Sequence, residues 1–164
     1  MLNEPSSLPS GDSRNLLLVV EDNEQDFEIF QRSVKRSQIP CELHRCETGD
    51  EALAYLSQQT EHQRSGKSKT PALILLDLNL PGTDGHAVLK QVKLDSQLRL
   101  IPIVIFSTSS NPKDVETCYH NGANGYMLKP LETSQFQENV KVLLHYWLQI
   151  NLNYDACLSI GLNQ

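Results

Sequence analysis

Short apolar runs, each followed at once by a polar or charged residue, constrain this chain more than anything else in it. LLLVV (16–20), ALILL (72–76), PIVIF (102–106) and GYML (125–128) are unbroken, whereas CELHRCE (41–47) alternates. Runs of four to five apolar residues bounded by turn signals are strands buried on both faces. The alternating run is a strand with one less buried face.

Helical patterns fill the intervals. Phe27, Phe30 and Val34 mark the inner face of a first helix, for which Asn23 is the natural N-cap, and GDEALAYL (49–56) opens a second. Val88, Leu89 and Val92 give a short third. Asn111-Pro112 starts a fourth, which Asn121-Gly122 closes. Phe136, Val140, Leu143 and Trp147 stripe a long fifth helix beginning at Thr133 or Ser134. Strand and helix in strict alternation specify a doubly wound α/β domain: a five-stranded parallel sheet with helices on both faces. In such a fold the functional site lies at the carboxyl ends of the strands.

The residues delivered to that edge are Glu21 and Asp22 after the first strand, Asp77 after the third, Ser107 and Thr108 after the fourth, and Lys129 after the fifth. Like charges so close repel by about 4 kcal/mol per pair at an effective dielectric near 20, so the crevice needs positive charge. Lys129 supplies one unit. All-oxygen ligands without His or Cys suit Mg²⁺, with Mn²⁺ as the alternative. An acidic crevice with a metal, a hydroxyl and a lysine fits phosphoryl transfer to a carboxylate nucleophile. Asp77 is the nucleophile on this reading, because the adjacent Glu21 and Asp22 are better placed to hold the ion. The Pro81-Gly82 turn behind Asp77 leaves the backbone carbonyl of Asn79 as a further metal ligand.

Composition narrows the class. The chain has 164 residues, enough for one domain with a full core. Residues 1–14, rich in Ser, Pro, Gly and Asn, read as a disordered tail, and the last dozen or so are too few for an output domain. With 20 acidic against 14 basic residues, a net charge of -6 and a pI near 5.3, the chain has the wrong sign for direct nucleic-acid binding. The basic stretch HQRSGKSK (62–69) reads as a loop. Cys41, Cys46, Cys118 and Cys157 lack metal or disulfide spacing, no signal-peptide pattern opens the chain, and no apolar run is long enough for a membrane span. Together these predict a cytoplasmic protein with free thiols. The five histidines are scattered over different elements and take no role.

VVEDN, LLDLNLPGTDG, IFSTSS and GANGYMLKP, in that order, resemble the response regulator receiver domains of two-component signalling, over roughly residues 15–148. The resemblance implies the flavodoxin-like strand order 2-1-3-4-5 and a phosphoprotein rather than an enzyme. Asp77 would accept a phosphoryl group from a sensor histidine kinase, Glu21 and Asp22 would bind Mg²⁺, Ser107 would hydrogen-bond the phosphoryl group and Lys129 would pair with it. It implies that Tyr126 is the switch aromatic, turning inward as Ser107 moves, and that the Lys129–Pro130 bond is cis. Glu21 stands where many receivers carry Asp. The long connection at 58–71 and the apolar extension YWLQINL (146–152) are similar to single-domain regulators of cyanobacterial phytochromes. That similarity implies a phytochrome as the kinase and a homodimer formed through the fourth and fifth helices, the fifth strand and the tail, residues 151–164 included. Tyr146, Trp147 and Leu148 are interface candidates, since three consecutive large residues cannot all face one core.

Three other readings compete. A phosphohydrolase built on Asp77 would want an aspartate at position 79, where Asn79 stands. A flavin mononucleotide binder would want a Ser/Thr/Gly phosphate cradle where EDNEQD puts acids. A receiver fold serving only as a dimeric scaffold remains the third.

Overall fold

The computed structural model describes residues 15–63 and 69–154. Its elements are β1 (Asn15–Val20), α1 (Glu24–Ser37), β2 (Cys41–Cys46), α2 (Gly49–Gln63), β3 (Pro71–Leu76) and α3 (Gly85–Leu94). They continue through a 3₁₀ turn (Leu98–Leu100), β4 (Ile103–Ser107), α4 (Pro112–His120), β5 (Gly125–Leu128), α5 (Thr133–His145) and a π turn (Tyr146–Ile150). The strands form one parallel sheet in the order β2-β1-β3-β4-β5, as the sequence predicted.

The unbroken apolar runs follow from a two-sided core. Leu18, Val20, Ile74, Leu76, Ile103 and Ile105 face α2 and α3 through Ala52, Leu56, Val88, Leu89 and Val92. Their neighbours Leu17, Val19, Leu73, Leu75, Val104 and Phe106 face Phe30 of α1 and Phe136, Val140 and Leu144 of α5. Successive strand residues point to opposite faces, so burial of both faces demands apolar residues at every position. β2 and β5 are the two edge strands: β2 is mostly half-buried, and β5, expected to be buried on both faces, is half-buried too, with Leu128 exposed, because an edge strand has a neighbour on one side alone.

Caps fall where the sequence placed them. The Asn23 side chain accepts from the Asp26 amide, the Asn111 side chain accepts from the Lys113 amide, and Gly122 closes α4 with φ at 93°. Cys41, Cys46 and Cys118 are free thiols, while Cys157 and the segments 1–14, 64–68 and 155–164 lie outside the described residues.

The C-terminal end differs from expectation. α5 stops at His145 and a wider π turn follows, closed by the Asn151 amide on the Tyr146 carbonyl at 2.7 Å. The change of pitch lets both Trp147 and Leu148 lean on the core beneath α1 and α5, and Asn15 donates to the Leu148 carbonyl at 3.1 Å. Of the three consecutive large residues, Tyr146 is the exposed one.

Candidate functional site

Strand register builds the site. Val20, Leu76 and Ile105 lie abreast in β1, β3 and β4, so Glu21 and Asp77 emerge side by side, and Ser107 follows one residue beyond the buried Phe106. Backbone hydrogen bonds carry the alignment one residue further: the Asp77 amide donates to the Val20 carbonyl at 3.1 Å and the Lys129 amide to the Ser107 carbonyl at 2.8 Å. The chain after Asp77 folds back so closely that any side chain at Gly85 would strike the Asp77 carbonyl. Gly85 therefore lets the loop after Asp77 lie close against the end of β3.

Lys129 is the hub. Its ammonium donates to Glu21 Oε2 at 2.6 Å, Asp77 Oδ2 at 2.9 Å and Asp26 Oδ2 at 3.0 Å. Its side chain is 5% exposed, those of Glu21 and Asp77 are 5% and 8%, and that of Asp26 is 28%. Glu21 also accepts from the Asn23 amide at 3.0 Å, and Asp77 Oδ1 accepts from the Asn79 amide at 3.3 Å. Asp22 and Asn79 line the open cleft above this floor, as does Thr108.

The charges do not balance. Burial pushes the Glu21 carboxyl up to about 7, with the Asp77 charge adding to the rise, although Lys129 opposes both. Burial also works against the Lys129 ammonium, but Glu21 and Asp77 outweigh it and hold the lysine above its ordinary range. The lysine is thus firmly charged, while the most buried acid keeps a proton near neutrality. Carboxylate oxygens of Glu21, Asp22 and Asp77 lie within 4.8 Å of one another. An all-oxygen donor set carrying surplus negative charge fits a hard divalent cation.

Ser107 is fully buried at the end of β4, where its hydroxyl accepts from the Ser109 amide at 3.2 Å, so Thr108 is the hydroxyl residue on the cleft wall. The Tyr126 hydroxyl donates to the Ser109 carbonyl at 2.8 Å, and its ring packs partly buried on the core beneath α2 and α3. The Lys129–Pro130 bond is trans, as is every peptide bond among the described residues, which corrects the expected cis bond. Trans is the intrinsically favoured form of an X–Pro bond by about 0.5–1 kcal/mol.

Asp26 escaped the sequence reading. It stands four residues after Asp22, in the first turn of α1, where an acid is ordinarily explained by the helix dipole. Arg45 escaped too: it donates to the Glu21 and Asp22 carbonyls at 3.0 and 3.4 Å, pairs with Glu24 at 2.6 Å and stacks on Phe27, bracing the loop that carries both acids.

A doubly wound domain with an acid cluster and a lysine at its carboxyl edge is the architecture of a signalling receiver. The family described as the response regulator receiver domain matches residues 17–141, and the chain belongs to it. Response regulator Rcp1 from Synechocystis is 37% identical over 82% of this chain and 89% of its own length. The crystal structure of the phosphorylated cyanobacterial phytochrome response regulator RcpA superposes with a TM-score of 0.79 at 37% identity, covering 87% of this chain and 99% of that one. The Mn²⁺-bound form of Rcp1 gives 0.77 at 36% identity, covering 85% and 98%. This protein is a two-component response regulator. Receiver domains are signalling proteins, phosphorylated by sensor histidine kinases. Among the described residues no helix is long and apolar enough to cross a membrane.

Proposed function

We propose that the protein is a phosphoacceptor switch in which Asp77 takes a phosphoryl group from the phosphohistidine of a sensor kinase. The observation that carries this reading is the 2.9 Å contact between Lys129 and Asp77 on the floor of a cleft that gathers three further carboxylates. In the transfer an Asp77 carboxylate oxygen attacks phosphorus, the P–N bond breaks, and the imidazole leaves with the electron pair. Lys129 neutralises the growing charge on the phosphoryl oxygens, and the Asn79 amide steadies the carboxylate oxygen it already contacts. Glu21, Asp22, Asp77 and the Asn79 carbonyl would hold Mg²⁺, or Mn²⁺ as in the Rcp1 crystal form, which supplies further charge neutralisation when bound. A phytochrome is the proposed kinase, because RcpA is a phytochrome response regulator.

Ser107 and Tyr126 meet on one loop residue, Ser109, through its amide and its carbonyl. A shift of Ser107 toward the phosphoryl group, with Thr108 on the cleft wall beside it, would move that loop and with it Tyr126. Such a shift biases a two-state face rather than creating a new one. The face around α4, β5 and α5 exposes Tyr119, Leu128, Val142 and Tyr146, and we assign homodimerisation to it, with residues 151–164 assisting. Light scattering on a Leu128→Glu/Val142→Glu variant should give half the wild-type mass; an unchanged mass removes this assignment.

The switch itself is tested by intact mass after incubation with acetyl phosphate, with and without Mg²⁺. A Mg²⁺-dependent gain of one phosphoryl group, absent in Asp77→Asn, is the expected result. No gain under any condition leaves a scaffold with a receiver fold.

A further inference from the structure

We propose that Asp26 is a specificity-determining residue: its carboxylate, held at the mouth of the cleft on the Lys129 ammonium, selects against small anionic phosphoryl donors and reserves Asp77 for a group delivered by a docked protein. The proposal rests on the reading of Asp77 as the acceptor.

An ammonium has three hydrogens, and Glu21, Asp26 and Asp77 take all three. An incoming phosphoryl oxygen therefore finds no free N–H on Lys129 until one acid lets go. Glu21 is buried and bonded at both carboxylate oxygens, and Asp77 is the nucleophile. Asp26 is the most exposed of the three, so its release to water costs least.

Until that exchange, Asp26 opposes the donor. It and Asp77 touch the same ammonium, which puts its charge within about 6 Å of the acceptor carboxylate. It stands outside the trio of carboxylates that can share a cation, so its charge persists when that trio is neutralised. Its backbone is anchored at the start of α1, because its own amide is tied to the Asn23 side chain at 3.0 Å, so a carboxylate that swings off Lys129 stays beside the cleft. A protein donor can draw on contacts remote from the phosphoryl group to overcome the repulsion, and a small donor has none.

The test compares phosphorylation rates of the wild type, Asp26→Asn and Asp26→Glu by intact mass at saturating Mg²⁺. The donors are acetyl phosphate, a dianion near neutral pH, and phosphoramidate, a monoanion. With acetyl phosphate an Asp77 oxygen bonds to phosphorus, the P–O bond to the acetyl group breaks, and acetate departs with the electron pair. Asparagine keeps the shape and an oxygen for Lys129 while removing the charge. One unit charge acting at about 6 Å through a water-like dielectric predicts that Asp26→Asn accelerates acetyl phosphate roughly tenfold and phosphoramidate roughly threefold. Asp26→Glu should react at the wild-type rate, and added salt should narrow the gap between wild type and Asp26→Asn.

An Asp26→Asn protein that reacts no faster than wild type, or one equally accelerated with both donors, overturns the proposal. In both cases the wild type still takes up phosphate, so the reading of Asp77 survives. A wild type that accepts from neither donor sinks the acceptor reading, and the role of Asp26 goes with it.

Discussion

Two lysines secure opposite ends of the sheet, each with three hydrogen bonds, and they differ above all in what receives them. Lys129 reaches three carboxylates at the carboxyl edge. Lys93, from the last turn of α3, reaches the Arg99 and Ile101 carbonyls at 3.1 and 2.8 Å and the Asn124 side-chain oxygen at 3.0 Å, where β4 begins. Burial disfavours both ammonium ions. Against carboxylates that cost is overcome and the lysine is raised, whereas against neutral dipoles it wins and Lys93 falls to about 8. The difference separates a lysine that answers charge with charge, and so responds when the acids change, from one that ties a corner of the fold together.

Removing the first lysine should have the largest effect. Lys129→Met leaves Glu21, Asp26 and Asp77 facing one another without a cation, and loss of one partner from a buried ionic cluster costs about 3–5 kcal/mol. Urea titration should place this variant near the low end, since the cleft admits water. A variant as stable as wild type would mean that the three acids already sit comfortably without the lysine, and the contrast with Lys93 would collapse.

The surplus acid gives the next effect. Glu21 titrates near 7 in the folded state against an ordinary value of 4.5, so between those pH values the folded protein binds more protons than the unfolded one. Its contribution is complete below about pH 4.5 and is lost as pH rises through about 7, by about 3 kcal/mol. In metal-free buffer the wild type should therefore lose stability relative to Glu21→Gln across this window. On the proposed metal site Mg²⁺ would displace that proton, so the rise in Tm on adding Mg²⁺ should be larger at pH 8 than at pH 6 and vanish with chelator. Equal rises at the two pH values would show that Glu21 is already ionised.

Why one lysine was legible and the other not is a matter of local context. Lys129 sits between an apolar strand and a proline, where a solvated lysine is out of place, and the sheet rule carried it to Glu21 and Asp77. Lys93 lies on a helix among Lys90, Gln91 and Asp95, so the one-dimensional pattern reads it as a solvated face. Its partners are carbonyls, which the sequence does not distinguish from any others. Asp26 was hidden for a similar reason, since an acid in a first turn already has an explanation. The central strands were legible because two-sided burial leaves an unbroken apolar signature, and their order followed from the resemblance to receiver domains, but the π turn after α5 was not legible, because no residue type enforces it.

The smallest effect concerns the second lysine alone. Lys93→Met removes three charge-assisted hydrogen bonds, worth about 1.5–3 kcal/mol each at best, but also removes a half-buried charge that the fold disfavours, and the carbonyls it leaves can turn to water. The net loss should be about 1 kcal/mol near neutral pH, with phosphorylation of Asp77 unchanged. Because the folded value, about 8, is below the ordinary 10.5, the folded state binds fewer protons between those limits, and its stability rises with pH there. Partial solvent exposure makes the rise smaller than the shift alone implies. The gap between wild type and Lys93→Met should thus widen from pH 8 to pH 10.5, a trend opposite in sign to that of Glu21. If it narrows instead, the carbonyl dipoles hold the ammonium as firmly as carboxylates do, and the two ends of the sheet are more alike than their pKa values suggest.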